Sequence, residues 1–358
     1  MKTNDSRSAR IVGGGLIGTS IALALKSAGW QVEIEDLDPA NQVLARDLIG
    51  ESSTLATFDL IVVATPPSVV FEVLQREFTN NPDAKFIEIS GLKSDLLLEV
   101  DKFPELSKRF LATHPMAGRE SSGPESARGD LFQGRAWILV PTTLTEESVL
   151  SDIETIVESL GATTYLMEPE AHDSAISTIS HQPQILSSLL GAALIGKPES
   201  TLSLAGQGLR DISRLAGSDP QLWSELLLAN AEMNVVHLRE YEALLQRMIS
   251  ALEENNLSEV TNILRDGKVG RNLIPGKHGA KNRDYTYLPI VIDDKPGQLA
   301  KIFHECEVAD VNIEDLSIEH TPGQETGLIT LALSENDATK LRSHLNAHGW
   351  LAHAPRKN

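Results

Sequence analysis

Arg10-Ile11-Val12-Gly13-Gly14-Gly15-Leu16-Ile17-Gly18-Thr19 is the stretch on which the fold turns. A short apolar run feeds a G-x-G-x-x-G turn, and the segment from Thr19 to Ala28 that follows reads as a helix. Each glycine has its own physical task. Gly13 allows the tight turn, Gly15 lets the backbone approach a pyrophosphate, and Gly18 permits close packing of helix on strand. Leu16 and Ile17 complete the fingerprint and are expected with it among the cofactor-binding residues. The glycine pattern alone is weak; its strand–turn–helix setting is what points to a dinucleotide.

Working outward, Gln31 to Glu35 reads as the second strand and ends at Asp36, where a carboxylate accepts hydrogen bonds from an adenosine ribose. Asp38 lies nearby with no arginine between, a combination that repels a 2′-phosphate, so NAD is expected over NADP. Further buried strands are read at Ile61-Val62-Val63-Ala64, Phe86-Ile87-Glu88-Ile89 and Trp137-Ile138-Leu139-Val140. Thr65 and Pro66, just after the first of these, border the cofactor pocket. Apolar runs alternating with amphipathic helical stretches are the pattern of a parallel sheet covered by helices. An α/β Rossmann domain is therefore expected over residues 1–167.

From 168 to 270 the pattern becomes helical, with Leu186, Leu189, Leu190 and Ala193, and then Leu222, Leu226, Ala229 and Met233, at helix-face spacing. These apolar stripes are read as packed core or as a subunit interface. Residues 271–284 are basic and turn-forming and read as a linker. Residues 285–358 follow as a βαββαβ pattern, an α+β module.

The chain has 358 residues, enough for two or three domains, and a formal net charge of −19. That balance disfavours nucleic acid and anionic membranes as partners and favours small molecules. Cys306 is the single cysteine, so neither an intrachain disulfide nor a thiolate zinc site can form, and no metal site is expected. The polar start and early glycines do not resemble a secretory signal, and the apolar stretch from Ile185 to Ile195 is too short to span a bilayer. A cytoplasmic location is expected.

Downstream of the dinucleotide fingerprint, Thr113-His114-Pro115-Met116-Ala117-Gly118 reads as a short polar loop with an imidazole beside a proline. Neutral imidazole can take a hydroxyl proton as the alcohol carbon loses hydride, a contribution of about 10²–10⁴-fold in rate. A lone histidine in a loop could equally be structural.

Five segments together resemble the prephenate/arogenate dehydrogenase family of tyrosine biosynthesis, over nearly the whole chain. They are Gly13 to Ser20; His114 to Gly118 with Glu120 and Gly123; His172-Asp173 to Ser180-His181; Gly208 to Arg214; and Ser218 to Trp223. The resemblance implies a Rossmann domain, an all-α dimerisation domain and a homodimer. It implies that His114 is the catalytic base and that Arg214 anchors the ring carboxylate; Asp211, one helical turn before Arg214, is placed either to orient it or to form an i,i+3 surface pair. Glu120 and Asp173 match acids near the active-site entrance. Ser180 and His181 belong to a substrate-facing motif from which this chain departs, since Gln184 stands where many relatives carry a second histidine. That difference leans the expected substrate toward arogenate. At Ser90-Gly91 the relatives usually place a serine at the second position, so a hydroxyl that assists the base is either missing or supplied by Ser90.

Asp294-Lys295-Pro296-Gly297-Gln298-Leu299-Ala300 resembles the turn-to-helix signature of ACT domains, ferredoxin-like modules that commonly bind amino acids. The resemblance implies tyrosine or phenylalanine as effector, although a purely structural module has the same pattern. Two rival readings are another Rossmann-type hydroxyacid dehydrogenase and a non-catalytic sensor of NAD and amino acids.

Overall fold

The computed structural model describes residues 7–50, 55–118, 123–274, 285–293, 295–319 and 326–357. It divides into two units, 1–260 and 261–358, each described by itself.

The first unit is built on a seven-stranded sheet of order β2-β1-β3-β4-β5-β6-β7. The strands are β1 (Ser8–Val12), β2 (Gln31–Glu35), β3 (Leu60–Val63), β4 (Lys85–Glu88), β5 (Phe110–Pro115), β6 (Ala136–Pro141) and β7 (Thr163–Leu166). Helices Leu16–Ser27, Pro39–Ile49, Val70–Asn80, Ser94–Val100, Pro104–Arg109 and Glu147–Ser159 intervene. Strand periodicity divides the buried residues between two cores. Leu60 and Val62 pack with Ile11, Ile21, Leu25, Leu111 and Ile153, whereas Ile61 and Val63 pack with Leu74, Phe86, Phe110 and Val140. The chain steps outward from β1 to β2 and then back across β1 to β3. That reversal opens a crevice at the carboxyl ends of β1 and β3, where such sheets bind their ligands.

The sheet is not wholly parallel, contrary to the sequence expectation. The pairs from β2 through β5 are parallel, but β6 runs antiparallel to β5 before β7 returns parallel to β6. A parallel neighbour needs a crossover, usually a helix. Between β5 and β6 the described residues hold only the short turn Pro124–Ser126 in place of one.

Helices then follow in sequence: Pro169–Ile176, Gln182–Ala192, Glu199–Leu202, Gln207–Ser213, Pro220–Ala229, Ala231–Glu253 and Leu257–Leu273. The last continues past residue 271, where a linker was expected, and the division between units falls inside it; the remaining linker residues, 275–284, lie outside the described residues. A π-helical turn, Ser177–His181, joins the first two helices. No helix among the described residues is long and apolar enough to cross a membrane.

The second unit contains β8 (Thr286–Asp293), helix Gln298–Val308, β9 (Asp315–Glu319), β10 (Thr326–Leu333), helix Glu335–Ala347, β11 (Leu351–Ala352) and β12 (Arg356–Lys357). Its strands pair antiparallel in the order β11-β8-β10-β9, with β12 also on β8. Leu288, Ile290 and Leu331 of the sheet pack with Ile302, Leu341 and Leu345 of the helices. Ser334 caps the second helix by accepting from the Asp337 backbone N–H at 3.1 Å.

Candidate active site

The turn after β1 is fitted to its glycines. Gly13 has φ +113°, and a Cβ there would stand 2.3 Å from the Ala64 carbonyl at the end of β3. A Cβ on Gly18 would stand 1.9 Å from the Gly13 carbonyl, whereas one on Gly15 would meet nothing within 4 Å. Two glycines thus close the protein on itself, and the third leaves open space at a helix start. Gly15 is the cap residue of Leu16–Ser27 and supplies no side-chain partner to the first backbone N–H groups. An anion such as a pyrophosphate is their natural partner.

Asp36 Oδ2 accepts from the Gly14 backbone N–H at 2.6 Å, and Oδ1 accepts from Asp38 at 2.8 Å. Each oxygen keeps a second lone pair for a ribose hydroxyl. Asp38 caps the next helix by accepting from Ala40 at 2.9 Å. Thr65 Oγ1 is buried without a hydrogen-bond partner among the described residues, and Pro66 beside it is exposed. The open Gly15 side, the uncapped helix start and this orphaned hydroxyl all fit a dinucleotide.

His114 occupies the penultimate position of β5, a strand rather than the expected polar loop. The residue is half-buried. Nδ1 of His114 lies 3.0 Å from Nε2 of buried His172, whose Nδ1 lies 2.7 Å from Asp173 Oδ1. The carboxylate settles the proton positions in this chain. Asp173 can only accept, so His172 Nδ1–H donates to it; His172 Nε2 then accepts from His114 Nδ1–H. The remaining lone pair of His114 is on Nε2, away from the chain.

Electrostatics agree with this order. Burial, with the Lys93 cation and two neighbouring histidines, His172 and His181, holds the pKa of His114 well below 6.5, so the ring is a neutral base. Burial opposes ionisation of Asp173, but bonds from His172 and Ser94 outweigh it and hold the carboxyl below its ordinary range. Asp173 also accepts from the backbone N–H groups of Lys93 at 3.0 Å and Ser94 at 2.9 Å, satisfying the start of helix Ser94–Val100.

Beneath this chain lies a fully buried ion pair. Lys93 Nζ donates to Glu88 Oε1 and to the Ser90 carbonyl, while Glu88 Oε2 accepts from the Ser90 backbone N–H at 2.7 Å. Burial lowers the Lys93 pKa, and Glu88 counters it. The pair ties the Ser90 turn to the end of β4.

Across from it, the π-helical turn carries Ser180, half-buried, and His181, buried. His181 Nδ1 lies 3.2 Å from Asn234 Oδ1, and its ring meets Trp223 edge-on at 6.1 Å. Burial lowers its pKa. Gln184 is buried; its Nε2 donates to the Leu215 carbonyl at 2.9 Å, which fixes the amide orientation. Gln184 Oε1 has no partner among the described residues.

Residues 21–166 match the nucleotide-binding domain of prephenate dehydrogenase, and residues 168–266 match the dimerization domain of prephenate dehydrogenase. NovF of Streptomyces niveus, described as a probable prephenate dehydrogenase, is 30% identical over 97% of this chain and 100% of its own length. The chain belongs to the prephenate dehydrogenase family. It is accordingly an NAD-dependent oxidoreductase. Prephenate dehydrogenase of Aquifex aeolicus, solved with hydroxyphenyl propionate and NAD+, superposes with a TM-score of 0.69 at 26% identity, over 75% of this chain and 99% of that one. Synechocystis arogenate dehydrogenase superposes with a TM-score of 0.63 at 26% identity, over 74% of this chain and 98% of that one.

Within this prephenate dehydrogenase scaffold, three sequence expectations are corrected. Ser90 is not bonded to His114: its Oγ donates to the Leu92 carbonyl at 3.2 Å, and the group bonded to His114 is His172. Asp173 is not an entrance acid, being 7% exposed and committed to His172 and a helix start. Asp211 is engaged by Gln207 Nε2 at 2.6 Å, one turn back. Arg214 is exposed at the start of the short turn Arg214–Gly217, whose Leu215 carbonyl holds Gln184. Glu120 lies outside the described residues.

Sequence reasoning assigned no role to His172, Glu88 or Lys93. His172 was visible as the neighbour of Asp173, and Glu88 as a charge inside an otherwise apolar strand. The Lys93 pairing had no comparable signal.

Proposed function

We propose that His114 is the general base in an NAD-dependent oxidative decarboxylation of a cyclohexadienol, prephenate or arogenate, in tyrosine biosynthesis. The observation that carries this reading is the Asp173–His172–His114 hydrogen-bond chain, which leaves a neutral imidazole with its lone pair on Nε2. Bound NAD+ supplies the acceptor for the hydride leaving the alcohol carbon. His114 Nε2 takes the hydroxyl proton, and His172 and Asp173 spread the resulting positive charge. The ring carbon opposite then loses its carboxylate as CO₂, and the electron pair released aromatises the ring. His114 returns its proton to the phenolic oxygen, so the proton balance of the site closes. Arg214 would hold the ring carboxylate as a bidentate guanidinium partner.

Arogenate is the preferred substrate in this reading. A buried acceptor without a donor costs about 1–3 kcal/mol. An ammonium can donate to Gln184 Oε1; a keto oxygen cannot. We expect at least a tenfold higher kcat/KM for arogenate than for prephenate in side-by-side assays with NAD. Equal efficiencies would remove the role given to Gln184 while leaving that of His114 untouched.

The second unit is read as an ACT-type, ferredoxin-like regulatory domain. A cleft of about 330 Å³ is lined by Asp293, Lys295, Pro296, Gly297, Gln298 and Leu299, with Gly297 at φ +87° just before helix Gln298–Val308. Tyrosine or phenylalanine is its proposed ligand. The helical segment is read as the surface joining a homodimer, since Leu189, Leu228, Leu245 and Leu252 are all exposed on it.

A further inference from the structure

A second group of ligating side chains lies in the C-terminal unit. Glu305 is in the last turn of helix Gln298–Val308, His344 is in the last turn of helix Glu335–Ala347, and His348 follows directly. His344 Nε2 is 2.6 Å from Glu305 Oε2, the rings of His344 and His348 are 4.3 Å apart at their centroids, and one ligand atom from each residue lies within 4.8 Å of the other two. His348 Nδ1 donates to the His344 carbonyl at 2.8 Å, which puts that ring's lone pair on Nε2.

We propose that Glu305, His344 and His348 form a divalent transition-metal site suited to Zn²⁺. Two imidazoles and one carboxylate are a donor set that zinc accepts, with a fourth position left to water. Ligands at about 2.0–2.2 Å in a tetrahedral array stand roughly 3.3 Å apart. Metal binding therefore asks the Glu305–His344 contact to open by about 0.7 Å and the wider separations, now within 4.8 Å, to close. Two helices end here, and the negative ends of both dipoles favour a cation. The hydrogen bond to the His344 carbonyl orients the His348 ring as outer-shell bonds orient metal-bound histidines. Cys306, next to Glu305, packs with Ile302 and Leu341 in the core and is not a ligand. The single cysteine excludes a thiolate site; it leaves a histidine–carboxylate site open. Metal bound here would clip the two helices of the unit together.

Calorimetric titration of the full chain with Zn²⁺ in a non-chelating buffer is the test, paired with the visible spectrum of the Co²⁺-loaded chain. One equivalent should bind at this site and give four-coordinate Co²⁺ bands. Glu305→Gln, His344→Gln and His348→Gln should each weaken that equivalent at least tenfold and abolish the bands. His348 is exposed, so His348→Gln decides the matter if either of the others fails to fold by circular dichroism. No binding to the unaltered chain overturns the proposal. So does binding that is unchanged in His348→Gln, which would place the cation at other histidines.

Discussion

His114 Nε2 has its lone pair because three residues agree on where two protons sit. Replacing His114 with Asn removes the base but keeps a polar side chain, so turnover should fall by about 10²–10⁴-fold. NAD affinity, measured by fluorescence titration, should hold. Unchanged turnover would end the assignment. His172→Gln keeps the base but loses the acceptor chain behind it, a charge-linked bond of about 1.5–3 kcal/mol, and kcat should drop about ten- to hundredfold. The pH profile separates this positioning role from a general structural one. Because the folded enzyme holds the His114 pKa below 6.5, the ring is already deprotonated at 6.5. The rate should thus stay level as pH falls through 6.5 and decline only below it, while His172→Gln should move that acid limb. A limb at or above 6.5 in the unaltered enzyme would contradict the electrostatics. His114 was singled out in the sequence by a local motif. Its partners were not, because they are joined across 58 residues of chain by folding.

At the scale of elements, the glycine loop allows its structural and ligand-facing roles to be separated. Gly18→Ala drives a Cβ into the Gly13 carbonyl and should destabilise the fold by about 1–3 kcal/mol, read as a lower Tm. Gly15→Ala meets no protein atom, so Tm should hold while NAD affinity drops tenfold or more. If Gly15→Ala bound NAD normally, the pyrophosphate would lie elsewhere. The strands β1, β3, β4 and β6 were readable because buried runs of β-branched residues are local signals. The antiparallel turn of β6 was not, since strand direction depends on what the connection leaves room for. The π-helical turn at Ser177–His181 was equally hidden. One added residue per turn leaves the apolar pattern nearly intact, yet it resets which side of the helix His181 faces, as such turns often do at functional sites.

Over the whole molecule, the expected effector gives a further measurement. Tyrosine or phenylalanine at millimolar concentration should raise Tm and change turnover, and stabilisation follows mass action, about 2.7 kcal/mol at a hundred times Kd. No effect on either quantity would leave the C-terminal unit a structural module. The order of its elements was readable from alternating patterns, whereas the Glu305–His344 contact depended on how its two helices pack. The position of His114 on β5 also has a dynamic consequence. β4 pairs with β5 only to Ala112, whereas β6 pairs with it through Pro115, so His114 has a strand on one flank and an open flank on the other. Its backbone can be released only by opening the sheet. Amide exchange along β5 should therefore be among the slowest in the unit, and any closing motion during turnover has to carry the substrate to an imidazole that stays where it is.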